Sequence, residues 1–195
     1  MFFNLSRAIL EERPIEEIQA ELDGLSPNDR VEQSRSLGPK EQKLLWELCT
    51  DRAVSLEQIV PLGRVNQTVR HLGRNTLPAF KYFEKRFLRP TEDSEVLWGY
   101  NEGPTRKLVG PGYFICRVSD QPMVGEVVID YEQLPTGSPE GWPEIKANEA
   151  GVSRLVYAYM HDYLRRVSDH VTIGRAYRKG KESPNYFTLC RWDED

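Results

Sequence analysis

Three groups of side chains in this 195-residue chain are of types that could do chemistry. The first is the run Arg70-His71-Leu72-Gly73-Arg74-Asn75. A guanidinium offers two parallel N–H donors, so arginines beside an imidazole suit an anion such as a carboxylate or phosphate. The plainer reading is that these arginines pair with the acids of residues 1–64. The second group is Tyr100-Asn101, followed by Thr105-Arg106-Lys107 and Gly110. A glycine-bearing loop with Arg and Lys can cradle phosphate through backbone N–H groups. This one matches neither standard phosphate-binding glycine spacing, and a solvated hairpin loop accounts for it more simply. The third group is Asp162, Arg165, Arg166, Asp169 and His170. An imidazole beside a carboxylate is a competent general base near neutral pH. The same residues also read as ordinary helix stabilisation, with Asp162 and Arg166 at i, i+4 and the arginines at a helix C-terminus.

Other chemistries find less. His71, His161 and His170 lack the convergent spacing of a zinc site, so neither metal nor cofactor is expected. No Gly-x-Ser-x-Gly elbow is present, which leaves an α/β-hydrolase unsupported. Cys49, Cys116 and Cys190 are far apart and odd in number, as free thiols in a reducing compartment would be. A fourth feature is aromatic: Tyr82, Phe83, Phe87, Trp98, Tyr100, Tyr113, Phe114 and Tyr131, then Tyr177, Tyr186, Phe187 and Trp192. If they line a closed sheet they form a packed core, or a small-molecule cavity with a few polar groups.

The elements that must position these residues follow from patterning. Residues 1–60 read as four short helices. Pro14, Ser26-Pro27, Gly38-Pro39 and Ser55 supply helix starts, and Gly24 a stop. Ile15, Ile18 and Leu22 share one buried face, and Leu44, Leu45 and Leu48 another. Residues 61–78 read as a connector rich in Gly, Asn and Pro. Strand signals begin at Phe80 and give Tyr82–Arg89, Val96–Tyr100, a short Lys107–Val109, Tyr113–Val118 and Glu126–Tyr131. Residues 132–147 form a long loop pinned by Trp142. Apolar residues at Val152, Leu155, Val156, Tyr159, Met160, Tyr163, Leu164 and Val167 then give the rhythm of a long helix capped by Asn148. Alternation returns in Val171–Arg178 and Tyr186–Trp192.

The expected fold is α+β: short N-terminal helices (residues 1–64) packed on a mostly antiparallel, barrel-like sheet (residues 65–195) with one long late helix. Closing such a sheet removes its exposed edges. Residues 1–64 carry 8 of the 26 Lys and Arg and 12 of the 30 Asp and Glu, so the net charge of −4 sits there. A balanced body with an acidic front argues against a nucleic-acid binder. The apolar start Met1-Phe2-Phe3 is followed at once by acids, and no run is long enough for a membrane span. A cytoplasmic protein is therefore expected.

The stretch from Tyr157 to Gly174, through Lys179-Gly180 and on to Tyr186–Arg191, resembles the end of small calycin-like barrel proteins. In particular it is similar to bacterial proteins with a G-x-W-x-G segment, which have an aspartate, an Arg-Val pair followed by acids, a glycine in the next strand, a Lys-Gly turn and a closing Phe-rich strand. Lys85-Arg86-Phe87 is similar to a Lys-Arg-Phe step in the same proteins. The G-x-W-x-G segment is absent here, and residues 1–64 have no counterpart. The resemblance implies a small barrel able to hold an apolar ligand and carries over no catalytic residue.

The leading functional expectation is a non-enzymatic binder of a small, partly apolar ligand that can carry an anionic group. Its expected contacts are His71, Arg74, Asn75, Tyr100, Asn101, Tyr131, Arg165 and His170. The alternatives are a protein-interaction module using the acidic helices, and a metal-independent isomerase, cyclase or lyase with His71 or His170 as acid or base.

Overall fold

The computed structural model describes residues 3–78, 81–120, 123, 125–149 and 151–193. The strand signal at Phe80 and the apolar Met1-Phe2 lie outside them. Five helices come first: α1 (Leu5–Leu10), α2 (Ile15–Asp23), α3 (Pro27–Ser36), α4 (Pro39–Leu48) and α5 (Leu56–Ile59). Ser26 and Ser55 cap α3 and α5, each accepting a backbone N–H three residues on, at 3.2 Å. Eight strands follow: β1 (Val69–Asn75), β2 (Tyr82–Leu88), β3 (Val96–Glu102), β4 (Phe114–Val118), β5 (Val127–Asp130), β6 (Met160–Arg166), β7 (Val171–Arg178) and β8 (Lys181–Arg191). Two short helices, α6 (Arg106–Val109) and α7 (Ser153–Tyr157), lie in the connections. Each strand pairs antiparallel with the next and β8 pairs back onto β1, so the sheet is a closed up-and-down barrel. Among the described residues, no helix is long and apolar enough to cross a membrane.

Closure creates two cores. Inside the barrel, Phe87, Leu97, Phe114, Val127, Ile129, Leu164 and Leu189 pack together with Leu56 and Ile59 of α5, which plugs one end. Outside it, Ile9, Ile18, Leu45 and Trp46 of the helices pack on Val171, Ile173, Tyr177, Tyr186 and Cys190. The helices thereby cover the outer face of β7 and β8.

Four expectations are corrected. The long late helix is α7 followed by strand β6. Tyr159, at φ +61°, breaks the helical path between them. Strand β6 is buried on both faces, so apolar residues occur at both phases of its alternation and produce a spurious helical spacing. Asp162 and Arg166 therefore form no helical pair. Asn148 caps no helix; its side-chain amide donates to the carbonyls of Tyr113 (2.7 Å) and Tyr131 (2.8 Å). Residues 69–75 of the expected connector are strand β1, and Lys107–Val109 belongs to helix α6.

Three glycines show how the barrel stays narrow. Gly73, Gly99 and Gly174 are the direct cross-strand partners of Phe83, Phe114 and Phe187. In each pair the far end of the ring lies over the glycine, where a Cβ would sit 2.6, 2.3 and 2.1 Å from ring carbons. At Gly99 the added carbon would also meet the Arg86 carbonyl at 2.7 Å, so ring movement alone cannot make room. Gly99→Ala is expected to destabilise the fold by about 1–3 kcal/mol. The effect should be read as a lower urea midpoint with an unchanged denaturant slope.

Candidate functional site

The alternation of β2 points Phe83, Lys85 and Phe87 into the barrel, which places a lysine between two inward phenylalanines. Its ammonium meets three partners. Nζ donates to Asn101 Oδ1 at 2.9 Å, to the Tyr131 hydroxyl, and to Asp162 Oδ2 at 3.3 Å. Tyr131 donates to the same Asp162 oxygen at 3.2 Å. Asn101 is oriented by its amide, which donates to the Gly112 carbonyl at 3.0 Å and so turns Oδ1 toward the lysine. The side chains of Lys85 and Asp162 are 3 % and 6 % exposed. Four rings surround Nζ, those of Phe83, Phe114, Tyr131 and Phe187, with centroids 5.1–5.5 Å away.

Burial sets the electrostatics. Loss of water pushes the Lys85 ammonium down from its ordinary range, against the pull of Asp162. Burial likewise pushes the Asp162 carboxyl up, against the pull of Lys85, and holds the Tyr131 phenol well above 10. Each partner of the ion pair is moved toward its neutral form.

The cluster forms one wall of a cavity of about 130 Å³ at the barrel end opposite α5. Leu77, Phe83, Met160, Ala176 and Phe187 supply most of the apolar wall, and Asn75 a further amide. The rim is made by Glu102, Gly103, Thr105 and Arg106 on one side and by Val156 and Tyr157 on the other. Arg106 pairs with Glu102 at 2.8 Å. Tyr157 stacks on Tyr131 with centroids 5.4 Å apart and planes 18° from parallel.

Of the residues expected to bind ligand, Asn75, Asn101 and Tyr131 come together in this cavity. The others lie elsewhere. Tyr100 is on the outer face under Trp142, with ring centroids 4.8 Å apart, and accepts from Arg86. The Trp142 indole N–H in turn donates to Thr68 Oγ1 at 2.8 Å. His71 faces inward at the plugged end, where Nε2 meets the Ile59 carbonyl at 2.9 Å. His170 sits at the β6–β7 turn against Asp193. His161, on the outer face, is 3.4 Å from Asp130.

The arginines share a different task. A helix C-terminus leaves carbonyls without partners and carries partial negative charge, which a guanidinium satisfies on both counts. Arg30 donates to Leu22 O at the end of α2, and Arg74 to the carbonyls of Arg35 and Ser36 at the end of α3. Arg165 donates to Trp46 O near the end of α4, with its guanidinium 3.9 Å above the Trp46 ring. Arg89 and Arg191 donate to Val60 O and Gln58 O around α5. The expected anion contacts Arg74 and Arg165 are thus occupied as anchors between helices and barrel.

The expected contacts include neither Lys85 nor Asp162, although Asp162 belongs to the third chemistry-bearing group. The available signal was the inward phase of Lys85 between Phe83 and Phe87. Compared with known proteins, the chain matches no family model, no curated protein and no solved structure.

Asp162→Leu leaves an unpaired buried ammonium and is expected to cost about 3–5 kcal/mol, most of it recovered in the Lys85→Met/Asp162→Leu double variant. The single variant should regain stability as pH rises, because the unfolded chain then binds a proton that the folded chain has given up. Urea midpoints at neutral and alkaline pH check both. His71 gives a second linkage. Burial lowers it from 6.5 to about 4, so the unfolded chain binds the extra proton in that window. Stability is lost as pH falls from about 6.5 through about 4, by on the order of 3 kcal/mol. His71→Gln should flatten that part of the profile.

Proposed function

We propose that this chain is a small-molecule-binding barrel whose ligand is compact, largely apolar and uncharged, with one hydrogen-bonding head group. The observation that carries the reading is a satisfied but reachable polar cluster, Lys85, Asp162, Tyr131 and Asn101, set in the wall of an otherwise apolar cavity. Eight-stranded barrels are just wide enough to be filled by side chains or to hold one small ligand. Here α5 and the inner core fill one half and the cavity occupies the other. A cavity of comparable size, about 150 Å³, takes benzene in another protein. The resemblance to calycin-like barrels agrees with this use of the fold. Both quoted stretches of that resemblance contribute to the cluster, one with Lys85 and the other with Asp162.

Charge balance favours a neutral ligand over an anionic one. The cavity wall holds two cations and two carboxylates, paired as Lys85 with Asp162 and Arg106 with Glu102. An anion would meet no uncompensated partner and would lose its hydration. Neither His71 nor His170 lines the cavity, so a histidine acid or base has less to rest on. The acidic helices direct their apolar faces onto the barrel, which weakens the case for them as a docking module. The three cysteines are buried and free, in keeping with a reducing, cytoplasmic setting.

Ala176 faces the cavity directly across from Asp162 and belongs to no polar contact of the cluster. Ala176→Phe should fill the space and leave the lysine in place. Small neutral aromatic and alicyclic alcohols, amides and ketones are expected to raise the melting temperature of the natural protein and not of this variant. Equal shifts in both proteins, or none in the natural protein across the set, would sink the reading.

A further inference from the structure

We infer that Lys85 is a covalent anchor: its side-chain amine condenses with a small apolar aldehyde or ketone held in the cavity, and Asp162 and Tyr131 handle the protons. The inference rests on the binding reading above and names the ligand class. Lys85 lines the cavity, its side chain is 3 % exposed, and the rings of Phe83, Phe114, Tyr131 and Phe187 surround Nζ. Lysines desolvated in this way become nucleophiles because the neutral amine carries the reactive lone pair. Asp162 Oδ2 lies 3.3 Å from that nitrogen and 3.2 Å from the Tyr131 hydroxyl oxygen, within reach for relaying protons.

The pair also explains itself better as chemistry than as structure. A buried ion pair adds little stability over apolar residues of the same volume. One that merely held the barrel together would gain nothing from facing a cavity. Here the two groups lie within one proton transfer of each other, Nζ 3.3 Å from Asp162 Oδ2, and burial moves both toward the neutral amine and the protonated carboxyl, a nucleophile and an acid side by side.

The step balances without another reactant. The amine lone pair attacks the carbonyl carbon, and the carbonyl oxygen takes a proton from the Asp162 carboxyl, directly or through Tyr131. The resulting ammonium of the adduct returns one proton to Asp162, giving a neutral carbinolamine. The nitrogen lone pair then expels the hydroxyl, which leaves as water with that proton. A protonated imine remains beside the Asp162 carboxylate. One carbonyl compound is bound, one water is released, and net charge is conserved: counted from the resting ammonium and carboxylate, whose proton first passes from Lys85 to Asp162, the step exchanges one ion pair for another. Addition of water reverses every step.

The test uses the natural full chain with benzaldehyde and benzyl alcohol as matched probes, and sodium cyanoborohydride to reduce any protonated imine. Both probes should stabilise the protein. Aldehyde plus reductant should add a single benzyl group, mapped by peptide sequencing to Lys85 ahead of the other lysines. Tyr131→Phe keeps the lysine and should slow this labelling by about 100-fold. Lys85→Met should abolish it, and the mapping on the natural protein decides the matter even if that variant folds poorly. Stabilisation by both probes with benzyl groups only on exposed lysines would overturn the anchor and leave the binding reading standing. No stabilisation by either probe, with Lys85 unlabelled, would overturn both.

Discussion

An ammonium and a carboxylate that leave water together impose the strictest condition on this fold. Each ion loses several kcal/mol of hydration, and mutual attraction compensates only when the remaining donors and acceptors are also satisfied. Lys85 has three N–H donors, and three partners receive them from three separate places in the chain. Asn101 comes from β3, Tyr131 from the residue after β5, and Asp162 from β6. Strands β3 and β6 are not neighbours, and only a sheet curled shut brings their inner faces together. Register matters equally, because a slip of one residue in any of these strands would turn its polar side chain outward.

Closure in turn depends on fitting bulky rings into a narrow barrel. The glycine–phenylalanine pairs on β1 and β2, β3 and β4, and β7 and β8 supply the space. Each ring occupies the volume its cross-strand partner gives up. All three of those rings, Phe83, Phe114 and Phe187, are also among the four around Lys85. The residues that narrow the barrel therefore also dry the lysine. The plugged end is held differently. There Arg89, Arg191 and His71 meet backbone carbonyls of α5 and the turn after it, so the short helix is fastened through its main chain.

The sequence was legible where one face of an element met water. Ser26 and Ser55 announced their helices, and the strands Phe114–Val118 and Val171–Arg178 fell close to their expected limits. It misled where an element was buried on both sides. β6 carries Asp162 and Leu164 inward and Tyr163 and Arg165 toward the helices, and such a strand has no solvent-facing side to mark its period. β1 was obscured by Gly73 and Asn75, which belong to a connector pattern, while the partners of its Arg70 and Arg74, Glu84 and the end of α3, lie far off in sequence. For the same reason the arginines looked like ligand contacts. Local sequence shows that a guanidinium is present and cannot show which carbonyl awaits it. Asn75, Asn101 and Tyr131 were in view, but Lys85 was read as part of an aromatic strand and Asp162 as the partner of a helical arginine.

The two ends of the barrel differ in what holds them, and the difference places the site. At the plugged end the helices are tied to strands by charge-assisted bonds to backbone carbonyls, each partly shielded from water. At the other end the rim is built from α6 and α7, helices of four and five residues. Ser153 donates to the Val109 carbonyl at 2.6 Å and so joins them, and Arg178 holds the carbonyls of Arg154 and Leu155. Neither helix is long enough to stand without such ties. Each leaves a leucine, Leu108 or Leu155, 73 % exposed. The opening itself is mixed, with the Arg106–Glu102 pair on one side and Val156 and Tyr157 on the other, so its one ion pair is already compensated before the apolar wall begins. On the binding reading proposed above, the polar cluster is the part of that wall that would tell ligands apart, by the one hydrogen-bonding group each brings.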